Sequence, residues 1–257
     1  MAKGDEGAPF RNLTFEDFRR MALAEDLSDN ERVGFPDSYR EDTVPAIMAD
    51  IATKLPALAP GRPATGGVVV DIGCGCGGLA DAVHARALAN GCELVLIDSA
   101  EMLARNRDAP GVEKVVAQFP EGCEEVLERR GGACDAILAY SVLQHTLNRP
   151  GVFEFIDAAC ELLAPGGRLL LADIPNASMR RRFLASEAGR AYHHEHYDEE
   201  QPPVVEFNRP SRGEMDDAVV LGILGRARSS GFHAWVVPQD PSLPMANRRE
   251  DILIARP

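Results

Sequence analysis

No run of apolar residues in this sequence approaches the roughly 18 that a membrane-spanning helix needs, so the chain is not expected to cross a bilayer. Aromatic residues are scarce, 6% of the chain with a single tryptophan. Cysteine is scarce too: the six among 257 residues are too few for a disulfide scaffold. Several lie inside apolar runs, where a free thiol fills space as a small hydrophobe. Positive charge is also short, with 27 Lys and Arg against 40 Asp and Glu, a formal net charge of -13. A surface that acidic repels phosphate backbones and anionic lipid, so neither nucleic acid nor a membrane is an expected partner. The stretch from Met1 to Phe10 holds one lysine, two acids and no apolar core, unlike a signal peptide. The expected compartment is a reducing cytoplasm.

What is present is a globular composition, 45% hydrophobic and 26% charged. The length predicts one large domain with an appendage. Residues 1–66 read as a helical cap and linker. Thr14 precedes Phe15, Phe18 and Met21 at helical spacing, and Val44, Ile47, Met48, Ile51 and Leu55 mark a second amphipathic helix that tolerates Pro45 in its first turn. Between them, Gly34 to Arg40 is turn-rich. The Pro- and Gly-rich stretch 55–67 predicts a linker.

From residue 67 the pattern changes to a second region, 67–257, in which short apolar runs alternate with helices. Strands are expected at 68–72, 93–97, 114–117, 136–140 and 168–172, with helices near 78–90, 99–106, 121–130 and 151–164. Apolar runs of this kind are buried on both faces, which implies a parallel sheet with right-handed crossovers. Ala164-Pro-Gly-Gly167 predicts a turn. A polar insertion at 178–210 follows, then a helix with a capping box at Ser211 and Glu214 and an end at Gly231. Strands at 233–237 and 251–255 have no helix between them and should pair antiparallel. The predicted fold is thus α/β and doubly wound: a mostly parallel, seven-stranded sheet ending in an antiparallel hairpin, with an N-terminal cap and an insertion after the fifth strand.

The most informative segment is Val68-Val-Val-Asp71-Ile-Gly73-Cys-Gly75-Cys-Gly77-Gly78, which leaves a strand and opens a helix. Glycines in that setting let a ligand approach the backbone and the amide end of the helix. Gly73, Gly75 and Gly78 satisfy a dinucleotide fingerprint, and Asp98 lies where a ribose-binding acid belongs. Its carboxylate can accept from both ribose hydroxyls. Asp71 separates the readings. Its charge would repel a cofactor diphosphate and suits a cationic amino group and a sulfonium.

At this point the sequence resembles the class I S-adenosylmethionine-dependent methyltransferases. Their first motif, acid-x-Gly-x-Gly-x-Gly, is matched by Asp71, Gly73, Gly75 and Gly77. Asp98-Ser99-Ala-Glu-Met102-Leu103 is similar to their second, and Cys134 to His145 and Leu162 to Gly167 follow in order. The resemblance implies S-adenosylmethionine as cofactor, with Asp71 and the glycines at its methionine end and Asp98 and Ser99 at the ribose. Met102, Gln118, Phe119 and Tyr140 would lie around the adenine and the rest of the cofactor. Gln118-Phe119 departs from the family, which commonly has an Asp followed by an apolar residue there.

Methyl transfer is an in-line displacement in which positioning dominates. His145, at the exit of the fourth strand, is the candidate general base, because imidazole titrates near neutral pH. Gln144, Asp173, Asn176, Arg180, His193 and His194 are the candidate acceptor contacts. Arginines 180–182 stand against the acidic background and suggest an anionic group on the acceptor. The segment Tyr192 to Glu200 is rich in His and acids but has no standard zinc spacing, so no metal is assigned. The expected reaction is methylation of an oxygen or nitrogen on a small polar, anionic metabolite such as a sugar derivative, in a chain that can form a homodimer. An NAD-dependent oxidoreductase and a non-catalytic cofactor-binding regulatory protein are the alternatives.

Overall fold

The structure is a computed structural model, and it describes residues 10–257 except 11, 12, 41, 63–65, 148–150, 198–200 and 208–211 and the side chains of His196 and Tyr197. Seven strands form one sheet: β1 (Val68–Ile72), β2 (Glu93–Asp98), β3 (Val112–Val116), β4 (Cys134–Tyr140), β5 (Leu163–Pro175), β6 (His233–Val237) and β7 (Arg249–Ala255). Their order is β3-β2-β1-β4-β5-β7-β6. The pairings from β3 across to β5 are parallel, while β7 runs antiparallel to both β5 and β6. The predicted architecture is the observed one.

Alternate side chains of each strand feed opposite faces. On one face Val70, Ile72, Ile97 and Ile137 pack with Phe155 and Ile156 of α8 (Val152–Leu162) and Ile223 of α11 (Asp217–Ser229). On the other, Val69, Leu94, Leu96 and Leu138 pack with Ile47, Met48 and Ile51 of α4 (Val44–Lys54) and Val83 and Ala87 of α5 (Gly78–Ala89). The helix over 44–54 is therefore a layer of the sandwich and holds a share of its core. Ile51 is 1% exposed, and truncating a side chain so enclosed costs about 2–5 kcal/mol. The stretch expected as a linker is anchored as well: Leu55 and Leu58 are fully buried, and the Asn90 amide donates to the carbonyls of Ala57 and Ala59 at 2.8 and 3.0 Å.

Three short helices precede this layer: α1 (Phe15–Leu23), α2 (Asp29–Arg32) and α3 (Asp37–Arg40). Thr14 caps α1 as expected, in a reciprocal pair with Asp17. The remaining helices are α6 (Ala100–Leu103), α7 (Glu124–Arg130), α9 (Ala177–Ala185) and α10 (Glu187–Tyr197). The polar insertion thus begins as two helices.

Two local expectations are corrected. Ala164-Pro-Gly-Gly167 lies within β5, because Leu163 pairs with Cys134 across a bulge and Gly166 and Gly167 exchange backbone bonds with Arg256. The cap of α11 is Asp216, whose side chain accepts from the Val219 amide at 3.1 Å. Ser211 lies outside the described residues, and Glu214 is exposed ahead of the helix.

Candidate functional site

Ligands of open α/β sheets bind beyond the carboxyl ends of the strands, and the described residues form a cleft there. It holds about 1120 Å³ of space free of protein atoms, open solvent at its mouth included, and is walled by the ends of β1, β2 and β4 and by the cap segment. The glycine loop turns at its floor. Gly73 and Gly75 have φ of +65° and +61°, in the left-handed region that a Cβ disfavours. A Cβ on Gly73 would also sit 2.6 Å from Val142, and one on Gly75 2.8 Å from Val33 of the cap.

Asp98 closes β2 and fixes this loop. Its Oδ2 accepts from the Gly75 amide at 2.8 Å and its Oδ1 from the Ser99 amide at 2.6 Å. Burial pushes its carboxyl up to about 6, against the lowering effect of those two donors. Each oxygen keeps a further lone pair for a ligand donor. Asn106 completes the clamp by donating to the Gly75 carbonyl at 2.8 Å. Asp71, 4% exposed at the end of β1, faces His84 Nε2 of α5 at 3.3 Å.

The opposite wall comes from the cap: Phe15, Phe18, Val33, Phe35 and Arg40 line the cleft together with Tyr140, Ser141, His145 and Thr146. His145 is sandwiched into this wall. Its Nδ1 lies 3.1 Å from the Leu13 carbonyl, its Nε2 3.2 Å from Gln144 Nε2, and the Phe18 ring meets it edge-on at 4.9 Å. Burial lowers its titration below the usual imidazole range. The Tyr140 phenol is pushed well up by burial, so it is a neutral wall of the site.

Beneath the wall lies a buried charge network. Arg40 donates to Ser141 Oγ at 2.9 Å and to Asp173 Oδ2 at 3.2 Å, and Arg249 donates to the same Oδ2 at 2.8 Å. Ser141 also donates to Asp173. Asp251 accepts from the Asp173 amide at 2.9 Å and from Lys54 at 2.7 Å, and Lys54 reaches Asp50 at 2.5 Å. Arg40, Arg249 and Lys54 therefore face Asp173, Asp251 and Asp50, charge for charge. Phe35 lies beneath the Arg40 guanidinium, 3.9 Å from its ring centre.

Of the residues singled out in the sequence, Asp71, Gly73, Gly75, Asp98, Met102, Gln118, Phe119, Tyr140 and His145 meet around this one cleft. Others are used elsewhere. Gly77 begins α5 against Asp29, and Ser99 caps α6. Gln144 sits beside His145 and donates to the Ser141 carbonyl at 2.8 Å. Asp173 is enclosed by the two arginines, so it does not face an acceptor. Asn176, 1% exposed, caps α9 and bonds Asp217 and Glu250. Arg180 is exposed on α9, and Arg182 pairs with Asp217 at 2.5 Å on the surface. His193 and His194 lie on α10, half-buried and exposed, and not on a loop. Among the described residues no group of three or more His, Cys, Asp or Glu is arranged to hold a metal ion.

The sequence reading missed Phe35, Arg40, His84 and Asn106. The turn-rich segment 34–40 has no periodicity to mark a buried face. His84 alone carried a signal, lying on the side of α5 that returns to β1.

The chain has relatives among known proteins, by sequence and by fold. A family model described as a methyltransferase domain matches residues 40–202. The human mitochondrial ubiquinone biosynthesis O-methyltransferase is 28% identical over 160 residues, 60% of this chain and 42% of that protein. The ubiquinone biosynthesis O-methyltransferase of Xylella fastidiosa (strain 9a5c) is 32% identical over 134 residues, 51% of each chain. The chain thus spans about half the length of the curated relatives it matches. Among solved structures, an O-methyltransferase family protein from Burkholderia thailandensis superimposes with a TM-score of 0.53 at 20% identity, covering 95% of this chain and 62% of that one. The plantazolicin methyltransferase BpumL, solved with a triazolic desmethylPZN analogue and SAH, gives 0.55 at 12% identity, covering 94% and 98%. Both show likeness of fold.

Proposed function

We propose a reaction from one premise: the chain belongs to the methyltransferase-domain family, the class I S-adenosylmethionine-dependent methyltransferases. The chain methylates a hydroxyl oxygen of a small acceptor that carries an apolar ring. The carrying observation is that Asp98 and His145 line one cleft beneath a cap of phenylalanines. The residues present fit the cofactor. The Asp98 carboxylate has its loop side satisfied by Gly75 and Ser99 and lone pairs left for a ribose diol, and Asp71 would face the methionine end. When bound, S-adenosylmethionine supplies an electrophilic methyl group on a sulfonium.

The chain's own residues supply the rest. The aromatic wall of Phe15, Phe18, Phe35 and Tyr140 orients a flat acceptor and excludes water. His145, kept neutral by burial, accepts the hydroxyl proton. Oxygen as the acceptor atom is supported by the names of the curated relatives. The sugar-derivative expectation loses the observation that motivated it, because Arg180 is exposed and Arg182 is paired. Arg40 does not restore it, since its guanidinium is already engaged by Ser141 and Asp173 in the buried network. The cap proper is α1 to α3.

No helix among the described residues is long and apolar enough to cross a membrane.

The test is transfer of labelled methyl from S-adenosylmethionine to a panel of phenolic and sugar hydroxyl acceptors. Phenolic acceptors should be labelled and sugars spared; labelling of sugars alone overturns the acceptor class. Absence of S-adenosylhomocysteine binding by calorimetry overturns the reading as a whole, and binding without turnover on any acceptor favours the regulatory alternative.

A further inference from the structure

We propose that Gln144 and the main-chain carbonyl of Leu13 are positioning groups that hold His145 as its neutral Nδ1–H tautomer, with Nε2 as the proton acceptor. Both ends of this chain of contacts are carbonyl oxygens, which can only accept. The Leu13 carbonyl, 3.1 Å from Nδ1, therefore requires the proton on Nδ1. The Ser141 carbonyl, 2.8 Å from the Gln144 amide, requires the NH2 end of that amide to face it. The second N–H of the same nitrogen then points at His145 Nε2, 3.2 Å away, which must present its lone pair. Turning the amide over would set two oxygens against each other, so the proton order follows from the geometry.

One atom in this arrangement is left over. Gln144 Oε1 is buried without a hydrogen-bond partner, one of two such side-chain atoms among the described residues. A buried orphan acceptor carries a cost, which is tolerated here because the NH2 end is needed at Ser141 and His145. The amide is thus held from one side only, and a ligand hydroxyl that reaches Nε2 displaces a single N–H. Among the described residues, the charged group that acts on the ring is Arg249, whose positive charge also favours neutral imidazole.

This rests on the reading of His145 as the base. In the step it serves, the acceptor oxygen forms its bond to the transferred methyl carbon. The carbon–sulfur bond breaks with its electron pair going to sulfur, and the hydroxyl proton passes to Nε2. The resulting imidazolium keeps its Nδ1–H bond to Leu13. Because Leu13 precedes α1, the cap itself sets the tautomer, and a cap lifted from the site leaves Nδ1 without that acceptor.

The experiment is nitrogen-15 NMR of the His145 ring in the full chain, for the natural sequence and for Gln144→Glu and Gln144→Leu. The natural protein should show the Nδ1–H tautomer and titrate below the ordinary value near 6.5. Gln144→Glu offers an acceptor to Nε2–H, so it should raise the titration by about one unit or more and populate the imidazolium. Gln144→Leu should leave the tautomer less biased. An Nε2–H tautomer in the natural protein, or a ring titration unmoved by Gln144→Glu, overturns the proposal. The measurement on the natural protein needs no variant to fold. The reading of His145 as base is separated by the pH profile of kcat/KM. If the ring signals behave as expected but the acid limb does not follow them in Gln144→Glu, the positioning stands and the base falls.

Discussion

Arg40 and Asp173, 133 residues apart in the chain, share a buried ion pair at 3.2 Å, with side chains 7% and 5% exposed. It fastens the last residue of α3 in the cap to the end of β5. Asp173 serves two cations, since Arg249 binds the same oxygen at 2.8 Å. Removing the shared anion leaves the buried Arg40 and half-buried Arg249 guanidinium groups uncompensated, whereas removing Arg40 leaves Asp173 still paired. Asp173→Ala should therefore destabilise the protein by about 3–5 kcal/mol, and Arg40→Ala by clearly less. Urea unfolding monitored by circular dichroism measures both; equal losses would mean that Arg249 does not share the charge.

A second fastening joins the cap to the cofactor side. Arg19 of α1 donates from Nη2 and Nε to the two carboxylate oxygens of Glu101 in α6, at 2.6 and 3.0 Å. Arg105 adds a 2.6 Å bond to the Ala22 carbonyl. A partly exposed pair of this kind contributes little to global stability, but it can govern local opening. Glu101→Gln should speed amide hydrogen exchange in residues 15–23 while leaving the thermal midpoint unchanged. Unaltered exchange there would show that the aromatic contacts alone keep the cap in place.

Much of this was readable from local pattern. The five parallel strands announce themselves as short apolar runs, and the closing hairpin follows from two strands with no helix between them. Asp71, the glycines and Asp98 are legible because their roles depend on strand–loop–helix order, which is sequential. The acceptor wall is not sequential. Phe35 and Arg40 sit in a turn-rich segment and gain meaning from Ser141 and Asp173, which no periodicity connects to them. Their place at a strand exit makes Asp173 and Asn176 look like acceptor contacts, yet burial assigns them to a charge network and a helix cap. The insertion after the fifth strand is legible as polar sequence, but its helices are not: the Asn176 cap and the amide ladders of α9 and α10 make 177–185 and 187–197 helical.

The thiols offer an independent check on burial. Cys74 is pushed well above its ordinary range, Cys76 and Cys123 to about 11, and Cys134 and Cys160 to about 12, in each case mainly by burial. Cys92 is raised for the same reason. Since the thiolate is the reactive form, the native chain should react slowly with Ellman's reagent at about pH 8, and all six thiols should appear on denaturation. Rapid native reaction of Cys74 or Cys76 would mean that the glycine loop is open to solvent.

The final prediction uses the Asp98 carboxyl, which burial raises from 3.8 to about 6. The folded chain then holds this proton more tightly than the unfolded one. Its contribution to stability is therefore full below about pH 4 and is lost as pH rises through about 6, a difference on the order of 3 kcal/mol. A ribose diol that donates to the carboxylate binds the ionised form alone. Affinity for S-adenosylhomocysteine should accordingly climb, at up to about tenfold per pH unit, until about pH 6 and level off above it. Asp98→Asn should bind weakly and lose that dependence, which separates Asp98 from His145, whose titration the variant leaves in place. Calorimetry at about pH 5, 6 and 7 decides the matter, since burial of the ionised carboxylate must be repaid by the ligand's hydroxyls. Equal affinity in Asp98→Asn, or a flat profile in the natural protein, would remove the ribose from Asp98.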